Sequence, residues 1–187
     1  MKTIVLGLGN PILSDDSVGF RVVQELKARL NKPTSLQEKF KEALPFPKPY
    51  TPLSSEGEEE IDNESYKPEV TLAESSTSGL NLLDLITGYD KLIIIDSIKT
   101  EDGEAGKIYR LSAENLGTVR HSASPHDINL ATALELGRKL GTALPQQIII
   151  IAIEVVDVTT FSEKCTPEVE RAIPLAVSMV AEELDKD

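Results

Sequence analysis

Cysteine is almost absent from this sequence of 187 residues, in which Cys165 is the only one. A single cysteine forms no internal disulfide, and no cysteine cluster is present to hold a structural zinc ion. Long hydrophobic runs are also missing, since the longest aliphatic block, residues 148–153, is far shorter than the roughly 20 residues that cross a bilayer. The apolar stretch before Asn10 and Pro11 is too brief for a secretory signal. We therefore expect a cytoplasmic protein with no membrane segment.

Positive charge is in deficit as well. The 19 Lys and Arg residues stand against 31 Asp and Glu residues, which gives a formal net charge of -12 at pH 7. A surface of that sign repels a phosphate backbone or an anionic lipid headgroup, so nucleic acid and membranes are not expected as partners. The hydrophobic fraction of 40% and the charged fraction of 27% are typical of a globular protein, and the length suits one domain, residues 1–187.

Short β-branched runs alternate along the chain with segments of helical spacing, which predicts an α/β fold. Two of the runs, 91–95 and 147–153, are apolar on both faces, as is typical of inner strands of a mostly parallel sheet covered by helices. The short link from Asp96 to the run at 106–111 predicts one antiparallel edge strand. In chain order, we predict strands at 3–8, 70–73, 91–95, 106–111 and 147–153, and helices at 16–30, 80–87, 127–140 and 166–184.

Residues 32–69 differ from the rest of the chain because they hold six of the eleven prolines and the acidic run EGEEEIDNE. We interpret them as an insertion in the single domain. One interpretation is a flexible, solvated acidic and Pro-rich loop. The other is an arm that contacts a partner and contains a short helix near residues 36–44. Composition does not separate the two.

The loop after the first strand reads GLGNPILSDDSVG from Gly7 to Gly19. A dinucleotide-binding fingerprint needs a third glycine where Ile12 stands, so this loop is not expected to bind such a cofactor. Two carboxylates at a helix start would also repel a phosphate, so an anion site is not expected there. One of the two residues, Asp15 or Asp16, could have no role beyond capping the helix. Two acids in succession exceed what capping needs, however, and this edge of an α/β sheet is where ligands bind.

Asp96 follows another predicted inner strand, KLIIID, and so lies at the same sheet edge. His126 precedes the helical pattern that begins at Asp127 and could point back over that edge. Asp16, Asp96 and His126 would together offer two oxygen ligands and one nitrogen ligand to a divalent ion such as nickel or zinc. No local spacing signature supports this set, which depends on the fold to bring the three loops together.

Four motifs occur in one order: GLGNPILSDDSVGFRV, KLIIIDSI, SPHDINL and TPEVERAIP. In this combination the chain resembles the [NiFe]-hydrogenase maturation endopeptidases over nearly its whole length outside the insertion. The resemblance implies a three-layer α/β/α sandwich around a twisted sheet of about five strands.

The resemblance also implies an activity and its residues. Asp16, Asp96 and His126 would stand at the metal-binding and catalytic positions. The substrate would be a [NiFe]-hydrogenase large-subunit precursor that already carries nickel, from which a C-terminal extension is removed. Nickel would then arrive with the substrate, and zinc could occupy the same site. Both an aspartic-type and a metal-assisted mechanism stay open.

The chain departs from the family pattern in two places. An Asp-Gly-Gly-Thr-like segment is replaced by ESSTSG at residues 74–79, which retains Thr77 and Gly79. A common Gly-Ile-Glu-Pro becomes AIEV at residues 152–155, so Glu154 persists while the following turn differs. Cys165 stands where a packing residue is usual and is expected to be structural.

Two other functions compete with this one. GLGNP also opens peptidyl-tRNA hydrolases, but those need a histidine shortly after the loop, where this chain has SDDSVGF. A protein that binds the nickel-loaded precursor as a checkpoint, without cutting it, could use the same three residues. Their presence favours an active endopeptidase.

Overall fold

The computed structural model describes residues 1–30, 69–76, 81–112 and 125–186. Five strands and four helices are formed there, with a short 3₁₀ turn at Ser14–Ser17. The strands are β1 (Lys2–Leu8), β2 (Glu69–Ser75), β3 (Lys91–Ile98), β4 (Ile108–Ser112) and β5 (Gln147–Glu154). The helices are α1 (Val18–Leu30), α2 (Asn81–Ile86), α3 (Pro125–Lys139) and α4 (Pro167–Leu184).

All five strands form one sheet in the order β2-β1-β3-β5-β4. β1 is parallel to β2 and β3, and β3 is parallel to β5, whereas β4 runs antiparallel to β5 at the edge. This confirms the predicted α/β class, the mostly parallel sheet and the single antiparallel edge strand. The carboxyl ends of the parallel strands therefore lie along one edge of the sheet, which we call the carboxyl edge.

Strand alternation divides the buried apolar side chains into two cores, one on each face. One core unites Val5, Ile93 and Ile151 with residues of α1 and α4. The other unites Leu6 and Ile94 with residues of α2 and α3. The two cores and the sheet between them make the three layers that the resemblance implied.

Several element boundaries differ from the sequence prediction. β3 continues through Asp96 to Ile98, so Asp96 lies within the strand and does not close it. Asp16 lies in the 3₁₀ turn, and the α-helix begins only at Val18. His126 lies in the first turn of α3, which begins at Pro125 and not at Asp127. β2 begins at Glu69, so that residue belongs to the sheet and not to the insertion.

The rest of the predicted insertion, with its possible helix at 36–44, lies outside the described residues. The same is true of Thr77, Gly79 and His121. Within the described ranges, none of the helices has both the length and the apolar character needed to span a bilayer.

Candidate functional site

The loop between β1 and α1 folds tightly back on itself at the carboxyl edge. Gly9 has a φ of 133°, a backbone conformation that residues with a Cβ rarely adopt. A Cβ at Gly9 would collide with the backbone carbonyl oxygen of Asp16. The N–H of Asn10 donates to that same carbonyl over 3.2 Å. The glycine therefore lets the chain leave β1 and return with the 3₁₀ turn held against the loop.

A second glycine brings the start of α1 against the sheet. A Cβ at Gly19 would collide with the carbonyl oxygens of Leu8 and Ile95, which lie near the ends of β1 and β3. Such an approach between a helix backbone and two strands is open only to a residue without a side chain. Asp16, three residues before Gly19, is thereby carried to the end of β3.

Asp16 and Asp96 both bind Ser97. The Ser97 hydroxyl donates to Asp16 Oδ1 over 2.9 Å, and the Ser97 backbone N–H donates to Asp96 Oδ1 over 2.8 Å. Asp96 is 2% exposed and Asp16 is 9% exposed, so the carboxylates are largely shielded from solvent. Two of the three predicted site residues thus share Ser97 as a hydrogen-bond donor.

The two carboxylates approach Ser97 from different sides of the sheet. In β3, Ile93 and Ile95 belong to the core beneath α1 and α4, whereas Ile94 and Ile98 belong to the core beneath α2 and α3. By strand alternation, Asp96 is on the face of α3, and Ser97 is on the face of α1. Asp16, at the start of α1, meets Ser97 on that second face.

The position of His126 is settled only for its backbone, since its side chain lies outside the described residues. α3 packs beside the sheet through Leu130, Ala133 and Leu134, and it ends at Lys139, shortly before β5 begins. Because α3 packs along the sheet and ends just before the first residue of β5, its first turn lies toward the opposite end of that strand, the carboxyl edge. The backbone of His126 is therefore on the Asp96 face, at the end of α3 that is directed toward the site.

Asp15 has partners different from those of its neighbour. Its carboxylate accepts from the N–H groups of Val156, Asp157 and Thr166 over 3.2, 3.0 and 2.6 Å, and from the Thr166 hydroxyl over 3.1 Å. Asp15 is fully buried. It fastens the segment after β5 to the 3₁₀ turn, and this structural role uses its acceptor capacity.

Cys165 completes the packing behind the 3₁₀ turn. Its sulfur lies 3.4 Å from the hydroxyl of Ser17, which in turn donates to the Ser14 carbonyl over 2.6 Å. Burial raises the pKa of the Cys165 thiol, so the neutral thiol is favoured. The expectation that Cys165 packs in the core agrees with its place in the α1 and α4 core.

Glu154 supports the connection that leaves β3. Its buried carboxylate accepts from the backbone N–H and the hydroxyl of Thr100 over 2.6 and 3.0 Å. A Cβ at Gly103 would collide with that carboxylate, so the connection passes close over it. The glutamate retained in AIEV thus holds the chain just after the Asp96–Ser97 pair.

Ser97 is the site residue that sequence reasoning missed. The sequence feature that could have indicated Ser97 is its position directly after Asp96 in KLIIIDSI. Strand alternation turns Ser97 toward the face opposite to that of Asp96. Asp16 approaches Ser97 from that face, and this approach is a matter of tertiary structure.

The described side chains of the site supply fewer donors than a metal centre needs. Among the side chains that the structure describes, no group of three or more His, Cys, Asp or Glu is arranged to hold a metal ion. Asp16 and Asp96 supply two carboxylates, a chemistry that suits divalent ions, and the predicted third ligand is His126.

Comparisons with a family model and with known proteins point to the same family. The sequence model of the HycI hydrogenase maturation protease family matches residues 58–183. The chain is 24% identical to the hydrogenase 2 maturation protease of Escherichia coli strain K12 over 154 residues, which are 82% of this chain and 73% of that protein.

Solved structures share the fold. The structure of the hydrogenase maturating endopeptidase HybD from Escherichia coli aligns with a TM-score of 0.72 and 24% identity, covering 100% of this chain and 93% of that one. The [NiFe] hydrogenase maturation protease HybD from Thermococcus kodakarensis aligns with a TM-score of 0.59 and 19% identity, covering 98% and 99%. Since the family match extends over more than half of the sequence, the chain belongs to the hydrogenase maturation protease family.

Proposed function

We propose that this protein is an endopeptidase that removes the C-terminal extension of a [NiFe]-hydrogenase large-subunit precursor after nickel insertion. The observation that carries the proposal is the convergence of Asp16 and Asp96 on Ser97 at the carboxyl edge. Family membership supplies the reaction class, because the family is one of maturation proteases. The catalytic residues in this proposal are Asp16, Asp96 and His126.

The two carboxylates fit a substrate that presents a divalent ion. Carboxylate oxygens are good ligands for such ions, and His126 would add a nitrogen from the first turn of α3. The nickel belongs to the precursor and identifies a substrate that is ready to be cut. Holding the nickel also fixes the scissile peptide at the short reach that proton transfer by a carboxylate requires.

Asp16 is the stronger candidate for the proton acceptor. Its neighbour Asp15 is fully buried and accepts four hydrogen bonds, whereas Asp16 is 9% exposed and receives a single hydrogen bond from the described residues. A carboxylate oxygen that is not used by the protein remains open for a ligand or a proton. Both the aspartic-type and the metal-assisted mechanism use this property of Asp16.

Asp16→Asn and Asp96→Asn test the proposal, because each keeps the size of the side chain and removes its charge. We expect each variant to process a nickel-loaded precursor at least about 100-fold more slowly than the wild type, the lower range of a lost general base. Mass spectrometry of the large subunit measures the loss of the extension. The nickel-free precursor should not be cut by the wild type.

Asp102→Asn is the matched control, since Asp102 is exposed in the turn between β3 and β4. It should process the precursor at the wild-type rate. Equal cutting of the nickel-free and nickel-loaded precursors would contradict the role given to nickel. Binding of the nickel-loaded precursor without any cleavage by the wild type would instead establish the checkpoint function and overturn the proposal.

A further inference from the structure

The hydroxyl of Ser97 has a defined partner in the site, although the proposed reaction assigns it no part. We propose that Ser97 is a positioning residue that orients the Asp16 carboxylate relative to Asp96. This inference rests on the proposed function. It concerns one hydrogen bond, from Ser97 Oγ to Asp16 Oδ1 over 2.9 Å.

Ser97 lies on an element that can hold the Asp16 carboxylate in one position. It lies in β3, where its register partner in β5 is Ile153, and the pairing of β3 with β1 ends two residues earlier, at Ile95. Ser97 is 4% exposed, so its hydroxyl is shielded from competing water. Asp16, in contrast, lies in a 3₁₀ turn that joins a loop to α1. The hydrogen bond therefore couples a carboxylate on a connecting segment to a rigid strand.

Ser97 donates a hydrogen bond to each of the two carboxylates. Its backbone N–H binds Asp96 Oδ1 while its side chain binds Asp16 Oδ1. An O–H to carboxylate bond is charge-assisted and directional, so it selects one orientation of the Asp16 group. Within the described part of the chain, no other side chain or backbone donor binds the Asp16 carboxylate. Without the hydroxyl, that carboxylate would lose its orienting partner.

Ser97→Ala removes only the hydroxyl oxygen, and Ser97→Thr restores it on a residue that strands accept well. We expect Ser97→Ala to slow processing of the nickel-loaded precursor about 10-fold, as is usual when a supporting hydrogen bond in a metal or active site is lost. Ser97→Thr should recover most of that rate. Ser178→Ala is the control, because its hydroxyl donates to the Pro174 carbonyl on the exposed side of α4. It should leave the rate unchanged.

A crystal structure of Ser97→Ala supplies a readout that does not depend on activity. We expect the Asp16 side chain to adopt a new rotamer or several rotamers, while β3 and the 3₁₀ turn keep their backbone. An unchanged Asp16 rotamer would overturn the positioning role, whatever the processing rate. A moved carboxylate with wild-type processing would overturn it as well.

The two readouts also separate this inference from the proposed function. If the wild type failed to process the precursor, the proposed function would fail, and the rotamer of Asp16 in Ser97→Ala would still decide whether Ser97 orients it. If the wild type processed the precursor and Ser97→Ala did so at the same rate, only the role of Ser97 would fail.

Discussion

Asp15 and Asp16 are adjacent acids in the 3₁₀ turn, and the fold gives them different tasks. Asp15 is fully buried and accepts four hydrogen bonds from the segment after β5. Asp16 is slightly exposed and meets Ser97 at the end of β3. The two residues differ because their side chains project from different sides of the 3₁₀ turn.

The residue-scale prediction concerns Asp15→Asn. In either amide orientation the new NH₂ group faces at least one N–H donor that now binds a carboxylate oxygen. An unsatisfied donor in a buried position costs free energy, and we expect the free energy of unfolding to fall by about 2 to 4 kcal/mol. Urea denaturation at neutral pH measures the loss.

Asp16→Asn is the comparison for that experiment, because it changes the same chemical group one residue away. Its free energy of unfolding should stay within about 1 kcal/mol of the wild type, since a single hydrogen bond is affected. Equal destabilisation by the two variants would show that the division between a structural and a functional acid is wrong.

At the scale of elements, the last turn of α4 binds to the sheet. This turn is far in sequence from the loop between β1 and α1. Arg110 in β4 donates to both carboxylate oxygens of Glu183 over 2.7 and 3.1 Å. The ammonium group of Lys91, fully buried at the start of β3, donates to the Glu183 backbone carbonyl. These contacts fix the last turn of α4, while Asp15 and Thr166 join the segment before its first turn to the site.

The element-scale prediction is a pH dependence of stability. The hydrogen bond from Arg110 is the main reason that the pKa of Glu183 is lowered from 4.5 to about 2. Stabilisation by a carboxylate with a lowered pKa is present above its unfolded value and is lost as the pH falls from about 4.5 toward 2. Glu183→Gln should therefore cost about 2 kcal/mol at pH 7, less than the full shift implies, because Arg110 is 46% exposed.

Urea denaturation of the wild type and Glu183→Gln at pH 7, 4 and 3 measures this dependence. The difference in unfolding free energy should shrink as the pH decreases. Glu182→Gln, one residue away on the exposed side of α4, is the control and should match the wild type at each pH. A difference that stays constant with pH would contradict the assignment to the Glu183 carboxylate.

At the scale of the whole molecule, the described parts of the chain already form a five-stranded sheet with a core on each face. Residue 30 ends α1 and residue 69 begins β2, and these two elements pack against each other. The insertion predicted from composition falls between them. A short connection could therefore join the two elements.

The prediction at this scale is that residues 32–68 are dispensable for folding. Replacing them by a Gly/Ser linker of about ten residues, with a root-mean-square span of about 17 Å, should leave cooperative urea unfolding intact. The physical reason for the expectation is compositional, because an acidic, Pro-rich sequence is poorly suited to apolar burial. A shortened protein that was unfolded or insoluble would place the segment in the core.

The same variant distinguishes the two interpretations of the insertion. If the segment is a solvated loop, the shortened protein should process the nickel-loaded precursor at the wild-type rate. If it is an arm that contacts the precursor, the processing rate should fall at low precursor concentration and recover when the concentration is raised.

Local patterns in the sequence were sufficient for the fold class, and they indicate two candidate site residues whose function stays a prediction. Aliphatic runs such as 91–95 and 147–153 predicted inner strands because only a strand covered on both faces buries every side chain. Acids that follow such runs lie at the carboxyl edge, so Asp16 and Asp96 were predicted from the sequence together with a family resemblance. In the structure each of the two carboxylates accepts a hydrogen bond from Ser97.

The structural role of Asp15, and the hydrogen bond that joins Asp16 to Ser97, were decided only by tertiary structure. Asp15 and Asp16 are alike in local sequence, and their roles differ because the segment after β5 packs on one side of the turn and β3 on the other. The approach of α1 at Gly19 brings Asp16 to Ser97 from a position 81 residues earlier in the chain. A contact of that separation depends on how helices and strands pack, and packing is a property of the whole fold that no local pattern contains.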